Sequence, residues 1–145
     1  IFTSMNILFA TTNAQLLQCR KAILELRPHI TADEYLEKAK LLLSQGAQMI
    51  YVDSEGDAPA VSVFRINYYF FRGKNLYIDD LSTLAEARGK GYAGALLDFI
   101  KQYAIQSGCA NIHLDSGYAK ERHDAHRLYL NKSYHLASHH FVLDL

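Results

Sequence analysis

A strand that runs into a glycine-rich turn and then a helix constrains the fold of this chain most. The segment covers residues 79–94 and reads DDLSTLAEARGKGYAG. Gly89 and Gly91 allow a tight turn, and their missing side chains let a ligand approach main-chain N–H groups. The first N–H groups of the following helix have no partner inside it, and the helix dipole adds partial positive charge. The segment therefore predicts a binding site for a phosphate or diphosphate group.

Two other glycine-loop patterns fit this segment poorly. The nucleoside triphosphate loop needs Gly-x-x-x-x-Gly-Lys followed by Ser or Thr, which the chain lacks. The dinucleotide pattern Gly-x-Gly-x-x-Gly fits Gly89, Gly91 and Gly94, and Asp115 lies at the spacing of the acidic residue. That pattern belongs near the start of a βαβ unit, however, and too little sequence follows it here for a nicotinamide domain.

Composition favours one compact domain over residues 1–145 and argues against several partners. Half of the 145 residues are hydrophobic, which is enough for a sizeable core. The formal net charge is +0 and no run of five basic residues occurs, so we expect no nucleic acid partner. No apolar run reaches membrane-spanning length, and no charged signal head precedes Met5. With two cysteines in no pattern, these features favour a cytoplasmic protein that does not bind a membrane.

Hydrophobic periodicity predicts alternating helices and strands. The predicted helices cover residues 14–26, 31–46, the stretch from the glycine turn to Gly108, and 124–132. The predicted strands cover residues 7–10, 47–52, 60–71, 76–83 and 111–115, with two short strands after residue 132. Thr31 and Glu34 predict a capping box, and residues 72–75 a hairpin turn. This order predicts an α/β fold with a mixed sheet.

Two segments together resemble one protein family. Arg88-x-x-Gly91-x-Ala93 resembles the acetyl-CoA diphosphate loop of the GNAT superfamily of N-acetyltransferases. Residues 122–134, RHDAHRLYLNKSY, resemble the late helix of that superfamily. Within the superfamily this ending is similar to aminoalkylphosphonate-type small-amine acetyltransferases, and residues 26–31 and 138–141 resemble a widespread bacterial branch. The resemblance implies a GNAT-like mixed, mostly antiparallel sheet flanked by about four helices.

The resemblance implies transfer of an acetyl group from acetyl-CoA to a primary amine of a small molecule, by direct attack. The strand before the loop would pair with the pantetheine arm, and a backbone N–H near Leu81 would stabilise the oxyanion, by ~3–4 kcal/mol for known donors. The residues expected to bind the coenzyme are Leu81, Ser82, Thr83, Arg88, Gly89, Lys90, Gly91, Tyr92, Ala93 and Gly94.

Three side chains are candidates for catalysis. Tyr129 matches the family tyrosine that protonates the leaving thiolate, and with a pKa of ~10 against ~8.5 it would act mainly as a hydrogen-bond donor. Asp79 and Asp80 lie where relatives often carry a base or a water-holding residue for the amine. As neighbours on a strand they are expected to point to opposite faces, so that only one meets substrate. Which of the two assists stays open.

Some residues depart from the family pattern or invite another function. Ser133 replaces the usual Gly, so the helix end is expected to differ, and Arg122 replaces an Asn that contacts the coenzyme. His123 and His126 share a helix face, but without further converging ligands no metal site is expected. Arg65, like Arg72, is expected to be surface charge of the hairpin.

Two further functions remain alternatives. One is acetylation of a protein or peptide amine, and the other is a non-catalytic acyl-CoA-binding regulatory module. The presence of Tyr129 argues against the module, because a pure binder needs no acid. Homodimers are common among members of the superfamily, often through C-terminal strands, so a homodimer is a further expectation.

Overall fold

The computed structural model describes residues 5–145, and the stretch before Met5, on which the signal-head expectation rests, lies outside them. The strands are β1 (Ile7–Phe9), β2 (Gln48–Val52), β3 (Ala60–Tyr69), β4 (Gly73–Thr83) and β5 (Asn111–Leu114). The α-helices are α1 (Asn13–Leu26), α2 (Tyr35–Ser44), α3 (Tyr92–Gln106) and α4 (His123–Asn131). The chain forms two compact units, Ile1–His113 and Leu114–Leu145.

The first unit is built on a sheet in the order β1-β2-β3-β4-β5. β1 with β2, β2 with β3 and β3 with β4 all pair antiparallel. The fold predicted from the sequence, an α/β protein with a mostly antiparallel sheet and about four helices, is confirmed over residues 5–145.

Helices cover both faces of this sheet. On one face, Cys19 and Ala22 of α1 and Tyr35 of α2 form a buried cluster with Met49 and Val63 of the sheet. On the other face α3 packs, with the ring of Tyr103 5.4 Å from that of Phe64 and 5.6 Å from that of Phe9. Since Val63 and Phe64 are neighbours on a strand, they belong to opposite faces.

Helix starts agree with the sequence prediction only in part. A capping box forms at α1, where Thr12 Oγ1 accepts from the Gln15 N–H at 3.2 Å and Gln15 Oε1 accepts from the Thr12 N–H at 3.1 Å. Thr31 Oγ1 accepts from the Glu34 N–H at 3.3 Å as predicted. The predicted start of the helix at residue 31 is wrong, because that bond closes a separate turn before α2 begins at Tyr35.

The hairpin between β3 and β4 turns earlier than predicted. Its last pair is Tyr69 with Gly73, so residues 70–72 form the turn instead of residues 72–75. Asn75, which the prediction placed in the turn, is fully buried, and its side-chain amide donates to the Gly73 carbonyl at 3.1 Å. The polar side chain therefore satisfies backbone near the turn from within the strand.

The second unit holds α4 and an extended tail. Within the described chain, residues 134–145 contain no strand, so the prediction of two short strands there is wrong. Five large apolar side chains of this tail are exposed, namely Leu136, Phe141, Val142, Leu143 and Leu145. Separately, among residues 5–145 no helix combines the length and apolarity needed to cross a membrane.

Candidate active site

β4 is interrupted by a β-bulge at the position of the two aspartates. Val63 of β3 pairs with Asp80, whereas the next residue, Phe64, pairs with Ile78. Asp79 is therefore the extra residue and has no partner in the ladder. Side chains replace the missing ladder bonds, since Arg27 Nη2 donates to the Asp79 carbonyl at 3.2 Å and Ser62 Oγ to the Asp80 carbonyl at 2.8 Å.

Each aspartate is held by an arginine. Arg65 donates two hydrogen bonds, at 2.7 and 2.9 Å, to Oδ2 of Asp79. Arg27, which follows α1, donates to Oδ1 of Asp80 at 2.7 Å. The Asp80 side chain is 15% exposed and the Asp79 side chain 23%. The expectation that Arg65 is plain surface charge is therefore wrong, because it is a half-buried partner of the bulge.

The bulge also changes which face the aspartates occupy. Asp80 pairs with Val63 and so lies on the face that α1 and α2 cover. Arg65 lies two residues after Val63, on the same face, and it binds the Asp79 carboxylate. The expectation of opposite faces is wrong, because the extra residue interrupts the alternation. Both carboxylates are thus on the α1–α2 side.

The glycine loop that follows β4 has the predicted shape. A single 3₁₀ turn, Ala85–Ala87, leads to an extended Arg88. Gly89 and Gly91 have φ of 79° and 82°, the left-handed region that favours glycine. Residues 88–91 are exposed, so solvent and ligands reach the loop backbone.

The start of α3 offers unpaired donors beside the loop. Gly91 is the N-cap, and the first intrahelical bond runs from the Ala95 N–H to the Gly91 carbonyl at 3.0 Å. The N–H groups of Tyr92, Ala93 and Gly94 precede that bond and have no partner within the helix, so they are suited to bind an anion. The exposed side chains of Arg88 and Lys90 add positive charge. This donor set suits the diphosphate of coenzyme A.

Of the β4 residues expected to bind the coenzyme, one contributes to packing of the fold and two remain candidates for the site. The Ser82 hydroxyl is buried and donates to the Ala22 carbonyl at 2.8 Å, so this side chain serves the packing of α1. Thr83 Oγ1 is buried and has no hydrogen-bond partner among the described residues. Leu81, two residues after the unpaired Asp79, pairs with Ser62. Since successive side chains of a strand point to opposite faces, the side chains of Leu81 and Thr83 lie on the face of β4 opposite to α1.

Tyr129 lies in the second unit, near the end of α4. It is 8% exposed, and its ring lies 6.0 Å from that of Tyr134. Burial raises the pKa of the Tyr129 hydroxyl above its ordinary 10.0, although the Arg122 cation opposes the shift. The hydroxyl therefore keeps its proton at neutral pH and is a hydrogen-bond donor.

The end of α4 closes with serine in the place of glycine. Ser133 has φ of 70°, which is left-handed. Its N–H donates to the Leu130 carbonyl at 3.1 Å, and the Tyr134 N–H donates to the Tyr129 carbonyl at 3.0 Å. These two bonds are the Schellman motif. The helix end thus keeps the hydrogen bonds of the motif, and it differs from one with glycine in the backbone strain at Ser133.

His123 and His126 make local contacts in the second unit. The rings of His123 and His126 lie 5.9 Å apart. His126 Nε2 is 3.0 Å from Ser116 Oγ and 2.9 Å from the Gly117 carbonyl, so it ties α4 to the preceding segment. In the described part of the chain, no three His, Cys, Asp or Glu side chains come together in a way that could hold a metal.

A cavity of about 320 Å³ opens beneath α1 and α2, beside the bulge. Asp80 and its partner Arg27 line it. Sequence reasoning missed both this cavity and the role of Arg27, because each depends on how α1 sits against β4. The sequence held one weak signal for Arg27. It directly precedes Pro28, and because helices usually end at or before such a residue, Arg27 is expected at the end of a helix.

Comparison with known proteins agrees with this arrangement. Residues 14–134 match the Acetyltransferase (GNAT) family. The chain is 32% identical over 116 residues to the uncharacterized N-acetyltransferase YhdJ of Bacillus subtilis, covering 74% of this chain and 75% of that protein.

Solved structures share the fold at low identity. The ribosomal-protein-alanine N-acetyltransferase of Brucella melitensis superposes with a TM-score of 0.81 at 16% identity, covering 99% of this chain and 100% of that one. The aminoglycoside N-acetyltransferase AAC(6')-Iy, solved with CoA, has a TM-score of 0.81 at 13% identity, covering 100% of this chain and 98% of that one. From the family match and the relative in Bacillus subtilis, the chain belongs to the GNAT family of acetyltransferases, enzymes that take their acetyl group from acetyl-CoA.

Proposed function

We propose that this enzyme transfers the acetyl group of acetyl-CoA to a primary amine of a small molecule by direct attack. The amine nitrogen forms a bond to the thioester carbonyl carbon, the carbon–sulfur bond breaks, and the sulfur leaves with a proton. The observation that carries the proposal is the bulge in β4 followed directly by a glycine loop with free amides at the start of α3. This places donors for a diphosphate after the strand that, in this proposal, pairs with the acyl arm.

The backbone of residues 81–94 binds the coenzyme in this proposal. The amides of the loop bind the diphosphate, with Arg88 and Lys90 as supporting cations, and Leu81 and Thr83 pair with the pantetheine arm. The N–H near Leu81 binds the oxyanion that develops on the thioester carbonyl, an interaction worth ~3–4 kcal/mol for known donors of this kind. The unpaired Thr83 Oγ1 supports this assignment, since a buried hydroxyl without a partner is costly unless something binds it.

Tyr129 is the proposed proton donor to the leaving sulfur. Its raised pKa supports the role, because a hydroxyl that keeps its proton can donate it. Transfer is uphill by ~2 kcal/mol or more against a thiol of pKa ~8.5. We therefore assign to Tyr129 a hydrogen bond to the sulfur that becomes full transfer as the carbon–sulfur bond breaks.

Asp80, more than Asp79, is the proposed partner of the amine. Asp80 lines the cavity, whereas Asp79 is held by Arg65 and does not. A lysine-like amine at pH 7 needs ~4.6 kcal/mol to lose its proton, from a pKa of ~10.4. With Arg27 bound to it, Asp80 holds the ammonium group or a water that accepts its proton, and Asp79 holds the bulge.

A small-molecule acceptor is proposed over a protein amine. The cavity beside Asp80 is lined by residues of α1, α2 and the sheet, and a concave, mostly apolar lining of this kind suits a small molecule. The resemblance of residues 122–134 to aminoalkylphosphonate-type acetyltransferases points the same way and remains a prediction. The fold does not decide, since structures of this shape include both a ribosomal-protein and an aminoglycoside acetyltransferase.

The proposal is tested by release of coenzyme A thiol from acetyl-CoA in the presence of a panel of amines. Amine-dependent release and an acetylated product by mass spectrometry are expected. Asp80→Asn should raise KM for the amine. Asp79→Asn, the matched neighbour, should mainly lower the free energy of unfolding. Release that never depends on a small amine, together with acetylation of peptide amines, would move the acceptor to the protein class.

Three further assignments accompany this function. We propose that the chain acts as one N-acetyltransferase domain, because the family match over residues 14–134 spans both compact units. A homodimer is proposed from the exposed apolar tail at residues 136–145, and light scattering of the purified protein tests it. A cytoplasmic location is proposed from Cys19 and Cys109, which are both free thiols.

A further inference from the structure

The cavity beneath α1 and α2 has an apolar interior. Its apolar lining residues are Ile23, Ile30, Tyr35, Ala39, Leu42, Met49 and Val63. The Tyr35 hydroxyl already donates to the Leu16 carbonyl at 2.7 Å and lies 3.8 Å from Met49 Sδ. A polar group placed among these walls would lose its bonds to water, so the part of a ligand held here must be apolar.

The volume of the cavity limits the size of that part. At about 30 Å³ per water-sized group, the 320 Å³ cavity holds about ten such groups. This is the size of a chain of eight carbons with a group at each end.

The polar residues around the cavity are mostly basic. Arg27, His29 and Lys38 line it, and Asp80 is the acidic residue among the lining side chains of the described chain. Asp80 already accepts from Arg27 at 2.7 Å. Lys38 has a loose contact with Glu34 at 3.8 Å, and its side chain is 54% exposed. A second ammonium group on a ligand would thus meet positive charge, while an anionic group would meet an attractive partner.

From the proposed acetyl transfer, on which this step rests, we infer that the acceptor is an apolar monoamine that carries an anionic group at its far end. Asp80 takes the amine beside β4, the apolar walls hold the body, and Lys38 with His29 takes the anion. The same charges disfavour polycations, including amines of the aminoglycoside kind that the structural neighbour AAC(6')-Iy is named for. In this inference, two proteins with the same fold accept different classes of amine.

Three acceptors of equal chain length test this inference: aminooctanoate, octylamine and diaminooctane. The expected order of kcat/KM is aminooctanoate, then octylamine, then diaminooctane, with at least a tenfold difference from first to last. Lys38→Glu should reverse the order of aminooctanoate and diaminooctane. Lys40→Glu is the matched control, because Lys40 is exposed on the same helix and does not line the cavity. It should leave the order unchanged.

Calorimetric binding of the same amines, with coenzyme A present, decides the inference independently of turnover. Binding in the stated order without acetylation would contradict the proposed acetyl transfer and support the inference about the cavity. Preference for diaminooctane, no binding of aminooctanoate, or an order that Lys38→Glu does not change would overturn the inference while leaving acetyl transfer intact.

Discussion

Replacing Gly91 by alanine tests whether the backbone shape at the start of α3 binds the diphosphate. Gly91 has φ of 82°, and among residues 5–145 a Cβ built there would meet only Met5 Cε at 3.8 Å, an ordinary contact. The cost of the substitution is therefore backbone strain without a clash. A non-glycine residue in this region costs about 1–2 kcal/mol, and alanine regains about 0.4–1 kcal/mol by restricting the unfolded chain. The net loss of stability should be about 1 kcal/mol.

The loss of coenzyme binding should be larger than the loss of stability suggests. If the loop relaxes to relieve φ at residue 91, the amides of residues 92–94 no longer converge on one anion. A hydrogen bond to a charged group contributes about 1.5–3 kcal/mol, so losing one weakens binding about 10- to 100-fold. Calorimetric titration with coenzyme A measures this Kd directly, and urea unfolding measures the stability.

Gly108→Ala is the matched control for this substitution. Gly108 has φ of 77° and lies at the opposite end of α3, and a Cβ there would meet nothing within 4 Å in the part of the chain that the structure describes. Its stability loss should equal that of Gly91→Ala, but its Kd for coenzyme A should not change. If Gly91→Ala bound coenzyme A within about twofold of the wild type at equal stability loss, the role of the loop amides would be refuted.

Three further changes test other parts of the account. Tyr129→Phe should lower kcat about 100-fold with Kd for acetyl-CoA unchanged, whereas the exposed Tyr118→Phe should not; equal losses would contradict a proton donor. Ser133→Gly should raise the free energy of unfolding by about 1 kcal/mol, while Ser107→Gly, at a right-handed C-cap, should give no gain in the same urea titration. Burial raises the pKa of the Cys19 thiol to about 12 from 9.0, so the unfolded state loses this proton first and stability falls as pH rises above 9.0. By pH 10 the loss should reach about 1.4 kcal/mol, and Cys19→Ala should remove that part of the pH dependence.

Local chemistry made the end of α1 and the glycine loop predictable. α1 ends at Leu26 as predicted, because Pro28 excludes helix from the residue before it. Gly89 and Gly91 adopt the left-handed backbone that their spacing suggested. These features depend on residues near in sequence, so they can be read without knowing the tertiary fold.

The bulge and the cavity could not be predicted because they depend on register. Nothing in the run of Asp79 and Asp80 reveals that one of them lacks a partner, since that follows from how β4 aligns with Val63 and Phe64. The same register decides that Arg65 meets Asp79, 14 residues away. Arg65, which was expected to be surface charge of the hairpin, is thereby a partner of the bulge.

The C-terminal tail shows a third limit of local patterns. Apolar residues such as Phe141 and Leu143 alternate as in a strand, yet no strand forms there within the described chain. A strand needs a neighbour to take its backbone hydrogen bonds, and alternation alone supplies none. A pairing partner outside a single copy of the chain would reconcile the pattern with the structure.

Amide chemical shifts of the labelled protein during titration with coenzyme A test the central claim most directly. If the diphosphate binds the loop backbone, the largest shifts should fall on the N–H groups of residues 89–94. Saturable binding that leaves those amides unmoved, with the large shifts elsewhere in the chain, would contradict the account.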